Sequence, residues 1–215
     1  MKKISKVFTA ITCSCILLLN SLVPSNCGAV FVTNILSNYP LCYQGSTPFC
    51  WANSMVSMLN FRTSTHYPTE YVLYTRSQLY PNDPPISGLP NSKAKSIIDA
   101  IFPNYSTTEY YSHLSQSQII SQISTNYPVY ITGYSSSSAH AVALVGYKLL
   151  TDDGDVYRIY YMNPQHNPYN SQLGQLESFP DYIESATYSE TYGTYHFYST
   201  DMQTEYTWNY SITLH

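Results

Sequence analysis

The hydrophobic pattern of this chain changes period near residue 128, and that change limits the folds open to it. Before it, apolar residues recur at helical spacing. Trp51, Met55, Met58 and Leu59 mark one face of a helix over about 48–61. Thr47-Pro48 supplies a hydroxyl N-cap and a proline at the first helical position. Thr69 is placed to cap a second helix, with Val72, Leu73 and Leu79 inward. Four prolines and a glycine exclude regular structure over 81–90. Asn91 or Ser92 opens a third helix that runs to Phe102 and stops at Pro103, and Ser115 with Gln118 forms a capping box for a fourth over 115–125. After residue 128 the pattern is that of strands. Residues 128–134 are β-branched and aromatic, Ser135 to Ser138 form a loop, and Ala139 to Leu150 is a strongly apolar strand. A turn over 151–155 and a returning strand from Val156 to Met162 make a hairpin. The tyrosine-rich stretch 182–198 alternates, and so do Tyr206, Trp208, Tyr210, Ile212 and Leu214. Helices first and strands second predict an α+β fold, an N-terminal helical lobe packed against a C-terminal antiparallel β-sheet lobe.

The N-terminus reads as a targeting segment. Lys2, Lys3 and Lys6 precede an apolar stretch from Val7 to Leu19, and the small residues Ser25, Cys27, Gly28 and Ala29 follow. This is the pattern of a signal peptide over 1–29, cleaved after Ala29 and leaving a domain over 30–215. The apolar run is shorter than the roughly 20 residues of a membrane span, and Pro24-Ser25-Asn26 is a poor lipobox before Cys27. The mature chain is therefore expected outside the cell, with no stable membrane insertion. Losing the three lysines leaves six of the nine basic residues against 13 acidic ones, a net charge of −7. No basic stripe remains for nucleic acid. Of five cysteines only Cys42 and Cys50 lie beyond residue 29. Disulfides cannot scaffold such a chain, so it must fold on its hydrophobic core.

Cys50 carries the strongest chemical signal. In the first turn of a helix, unpaired N–H groups and the helix dipole favour a thiolate, which gives Cys50 rather than Cys42 a reason to be reactive. By itself, a cysteine in this setting is as readily a small buried hydrophobe, or half of a disulfide with Cys42. The stretch Gln44-Gly45-Ser46-Thr47-Pro48-Phe49-Cys50-Trp51-Ala52-Asn53-Ser54 resembles the papain-like cysteine peptidases. Their pattern is Gln-Gly-Ser, three residues, then Cys-Trp-Ala with a Ser nearby. The resemblance implies that Cys50 is the nucleophile and that Gln44, six residues before it, donates to the oxyanion. Ala139-His140-Ala141-Val142-Ala143-Leu144-Val145-Gly146-Tyr147 resembles the family's His-Ala strand, which implies His140 as the base. Asn163, followed by Pro164, stands where the family carries the residue that orients the histidine.

The chain also departs from the family. Thr47-Pro48-Phe49 replaces Cys-Gly-Ser, so the family's upstream disulfide is missing, and Pro164 occupies the place of a tryptophan. The 90 residues from Cys50 to His140 match compact bacterial members such as the staphopains better than papain. Between Ala29 and Gln44 there is no room for an inhibitory prodomain, so control would fall to a separate inhibitor protein, to redox state or to substrate supply.

The resemblance implies a secreted, monomeric cysteine peptidase that acts on protein or peptide substrates without a cofactor. Two other functions fit the same elements. A CHAP- or NlpC-type peptidoglycan amidase or endopeptidase also places Cys at a helix start and His on a strand. A papain-like scaffold used only for binding would suit the tyrosine-rich surface. Taken singly, His140 could be a core histidine and Asn163 a turn residue. His166, three residues after Asn163, is a spare candidate. His66, His113, His196 and His215 show no metal spacing, and Asp152, Asp153 and Asp155 read as a solvated turn that could hold calcium weakly.

Overall fold

The computed structural model describes residues 31–84, 88–150, 155–170, 175–199 and 203–215. The expected signal peptide and residues 151–154 of the predicted turn lie outside the described residues. In chain order the elements are β1 (Phe31–Ile35), α1 (Cys50–Thr63), α2 (Thr69–Leu79), α3 (Asn91–Ile101), β2 (Thr107–Tyr110) and α4 (Gln116–Ser124). They continue with β3 (Val129–Tyr134), β4 (Ala139–Leu150), β5 (Asp155–Met162), β6 (Tyr169–Asn170), β7 (Gln175–Leu176), β8 (Ile183–Ser189), β9 (Thr194–Ser199) and β10 (Thr204–Leu214). This is a mixed α/β structure.

The sheet closes on itself. Strands β4, β3, β10, β9, β8 and β5 are neighbours in that order, and β5 pairs again with β4 from Ala143↔Met162 to Leu150↔Asp155. Every pairing is antiparallel. A closed ring of six strands leaves none of its members with an open edge along the ring. Two long strands extend past it. The first part of β4 carries β3, and its last part carries β1 on the same edge, from Ile35↔Gly146 to Phe31↔Leu150. Likewise β10 holds β9 at its start and β2 at its end. Glycine is required where β1 approaches, because a Cβ on Gly146 would lie 2.7 Å from the Asn34 carbonyl oxygen.

Helix α1 is buried at every residue from Trp51 to Asn60, so it is a central helix rather than the one-sided helix its apolar spacing predicts. Its polar side chains are therefore bonded internally. The Ser54 hydroxyl donates to Ala141 O on β4 at 3.0 Å, Asn53 Oδ1 accepts from the Thr69 hydroxyl at 2.8 Å, and Asn60 Oδ1 accepts from Tyr67 N at 2.6 Å. One hydrophobic core runs through α1, α3, α4 and the sheet, joining Met55, Met58 and Ile98 to Val142, Leu144 and Trp208.

Several sequence expectations are met closely. Ser115 and Gln118 form both halves of the capping box that opens α4. Strand β4 has the expected bounds, and the alternating residues of β10 are all buried. Others need correction. The N-cap of α1 is Phe49, because the Thr47 hydroxyl donates to Gln44 O at 2.6 Å inside the preceding loop. Pro68 and Pro90, rather than Thr69 and Asn91, precede α2 and α3. Leu79 is exposed, whereas Arg76 of the same helix is buried beside Asp83. Strand β2 has no counterpart in the sequence reading.

Candidate active site

The loop before α1 is folded by its own hydrogen bonds. Gly45 takes a φ of +60°, a region that suits glycine. Gln44 Nε2 donates to Thr47 O at 2.6 Å, and Gln44 O accepts from Thr47 N and from the Thr47 hydroxyl. The Gln44 N–H reaches across to Pro164 O at 2.8 Å, which ties this loop to the residue after Asn163. With Thr47 occupied, no side chain caps α1, and Cys50 becomes its first helical residue. The first-turn N–H groups of a helix lack partners within it. Burial, the largest effect, pushes the Cys50 thiol up, while the N–H groups of Cys50 and Trp51 in this first turn and of Ala141 on β4 favour its thiolate.

Cys42 has a different setting. Burial pushes its thiol up to about 11, with only the Asn60 amide at 3.8 Å to oppose it. Both cysteines are free, so the alternative of a Cys42–Cys50 disulfide is not the state observed.

His140 is the second residue of β4 and is paired with Gly133 of β3. It is 2 % exposed, and its ring packs on Tyr206 with centroids 5.3 Å apart. Behind that ring the barrel is full, since a Cβ on Gly133 would lie 2.5 Å from the Phe197 ring. Burial pushes His140 down to about 4, against the Asn163 hydrogen bond and the nearby Glu184 charge, which both raise it.

The β4–β5 hairpin returns the chain so that Asn163, the residue after β5, meets His140. Asn163 Oδ1 lies 2.8 Å from His140 Nε2. The same oxygen accepts from Gln165 N at 3.0 Å, and Asn163 Nδ2 donates to both oxygens of Glu184 at 3.1 Å. Glu184 stands opposite Tyr161 on the neighbouring strand β8. His166, the spare candidate, is held by two carboxylates and does not line the cavity that Cys50 lines. Its Nε2 lies 2.6 Å from Glu177 and its Nδ1 3.3 Å from Glu184, and these carboxylates raise its pKa to about 9.

A cavity of about 630 Å³ brings the two sides together. Gln44, Cys50, Trp51, Tyr130, His140 and Gln165 all line it, and Leu89 and Pro90 complete an apolar wall. Three of the four expected site residues thus share one cleft, and the fourth, Asn163, is buried and hydrogen-bonded to His140. Sequence reasoning missed Glu184. Its only signal is an isolated acid in an otherwise uncharged strand, and its partner lies 21 residues away in sequence, at the end of the neighbouring strand β5.

The sequence model of the family described as "Papain-like cysteine protease AvrRpt2" matches residues 33–184. No curated protein matches the chain.

Proposed function

The chain belongs to the papain-like cysteine protease family; it is a cysteine peptidase, and we propose that Cys50 is its nucleophile, with His140 as base, Asn163 as the residue that orients it and Gln44 as an oxyanion donor. The observation that carries this reading is the shared cavity of Cys50 and His140, with His140 Nε2 held 2.8 Å from Asn163 Oδ1. In this reading the helical half and the barrel form the two walls of a substrate cleft, with α1 presenting the sulfur and β4 the imidazole.

Burial raises the Cys50 thiol and lowers His140, so the empty cleft favours the neutral pair of thiol and imidazole. Proton transfer then accompanies attack. The proton leaves the sulfur for His140 as the S–C bond forms and the carbonyl electrons move onto oxygen. That oxyanion accepts from the Cys50 N–H and from the second proton of Gln44 Nε2, whose first is held by Thr47 O. When the C–N bond breaks, His140 returns the proton to the departing amine. Water, deprotonated by His140, then adds to the thioester carbonyl, the C–S bond breaks to release the acid, and His140 returns the proton to the sulfur.

The substrate is a protein or peptide chain. The signal-like segment over 1–29 supports action outside the cell, and no helix among the described residues is long and apolar enough to cross a membrane. The test is hydrolysis of casein and of purified peptidoglycan by wild type and by Cys50→Ala. Casein cleavage that falls by at least ~10³-fold in the variant, with an unchanged melting temperature, is the expected result. Equal activity in the variant, or turnover of peptidoglycan alone, overturns the reading.

A further inference from the structure

A primary amide such as that of Asn163 can sit either way round, and its two orientations offer opposite chemistry to a neighbour. Here its surroundings allow only one. The Gln165 backbone N–H can only donate, so the atom 3.0 Å from it must be the amide oxygen. An ionised carboxylate can only accept, so the atom 3.1 Å from both Glu184 oxygens must be the amide nitrogen. His166 lies beside that carboxylate, with its two ring nitrogens facing Glu184 and Glu177. With Oδ1 thus turned toward His140, Nε2 of the imidazole must carry the proton, and the lone pair falls on Nδ1.

Resting on the peptidase reading above, we propose that Glu184 is a positioning residue: it fixes the Asn163 amide and, through it, the tautomer in which His140 Nδ1 is free to take the thiol proton. Glu184 touches neither the sulfur nor the substrate. Its effect passes through the Asn163 amide and through its charge, which favours the protonated form of His140, so it acts on the rate of proton transfer rather than on substrate binding.

The test uses the full protein and three sets of variants. Glu184→Gln keeps the shape but gives the side chain a donor, which lets the Asn163 amide turn over and present its nitrogen to His140. Its kcat should fall about 100-fold with KM within about 2-fold, the scale expected when a general base is held in the wrong tautomer. Its His140 ¹⁵N signals above pH 7 should move from the Nε2–H pattern toward the Nδ1–H pattern. Asn163→Asp alone sets two carboxylates against each other and should also be slow. Combining Asn163→Asp with Glu184→Gln reverses the outer hydrogen bond while returning an acceptor-only oxygen to His140, and should recover at least about 10-fold of the loss in kcat. Glu177→Gln, which disturbs His166 but not Asn163, should keep both kcat and tautomer.

Native tautomer in Glu184→Gln, or a double variant no faster than the slower single one, overturns the proposal. So does an Nδ1–H form of His140 in wild type, a result that needs no variant to fold. Because the tautomer is read on the resting protein, it stands apart from the peptidase reading, which fails instead if wild type cleaves no peptide.

Discussion

The two walls of the cleft differ in how the groups beside Cys50 and beside His140 are hydrogen-bonded. On the cysteine wall no side chain caps α1, and Gln44 Oε1 and Trp51 Nε1 are buried without a protein partner among the described residues. On the histidine wall each polar atom of Asn163 is engaged, and the chain of contacts continues through Glu184 to His166 and Glu177. Buried groups without partners are costly, so proteins keep them where a ligand will supply the partner. The difference teaches a division of labour. In the proposed reading, the cysteine wall leaves polar groups without protein partners beside the nucleophile, and the histidine wall uses its hydrogen bonds to hold the base in one orientation.

The largest effect that would sharpen this contrast is at Gln44. In the proposed mechanism Gln44→Ala removes one oxyanion donor and should lower kcat by about 100-fold, with a stability loss of only about 1 kcal/mol from the lost hydrogen bond to Thr47 O. Steady-state kinetics with thermal melts would check both halves. A variant that loses stability but not kcat would place Gln44 in the scaffold and break the contrast.

A change in the histidine wall should do the reverse. Gly133→Ala forces a methyl to within 2.5 Å of the Phe197 ring, and the Tyr206 Cβ is only 2.9 Å away. Overpacking of this kind costs about 1–3 kcal/mol. Urea denaturation should show that loss, and because Phe197 and Tyr206 also pack on His140, kcat should fall with it.

The two histidines of this wall set opposite pH limits on stability. His140 is neutral when folded, with its pKa lowered to about 4 from 6.5. The unfolded chain therefore binds the extra proton first, and the stability His140 lends is present above about pH 6.5 and lost as pH falls toward 4. His166 has its pKa raised to about 9. The stability it lends is full below about pH 6.5 and is lost as pH rises through 9. Urea midpoints measured from pH 4 to 10 should fall at both ends. His166→Gln should flatten only the alkaline decline, and a decline that persists unchanged would remove His166 from its ion-pair role.

The contrast between the walls also marks what could be read from the sequence. The cysteine wall is local: Gln44 to Ser54 is one stretch, and its motif is legible there. Even so, the helix start was displaced by two residues, because nothing in the sequence shows that Thr47 spends its hydroxyl on Gln44 O instead of capping α1. The His140–Asn163 contact was legible because one hairpin separates them. Glu184 was not, since its position depends on the pairing of β5 with β8. Closure of the barrel depends on the same non-local pairings. The alternation of 182–198 and 204–214 predicts strands but does not say which edges meet. Strand β2, only four residues long, pairs with the end of β10 about 100 residues later, which no local period reveals.

The central claim is that one thiol, Cys50, is set apart from the other by its position in the cleft. Reaction with a thiol-reactive peptide epoxide at pH 7, followed by mass mapping of the adduct, tests this directly. The account predicts a single adduct on Cys50, lost when His140 is changed to Ala, with Cys42 left free. An adduct on Cys42, equal labelling of both thiols, or labelling of Cys50 that is indifferent to His140 would contradict it.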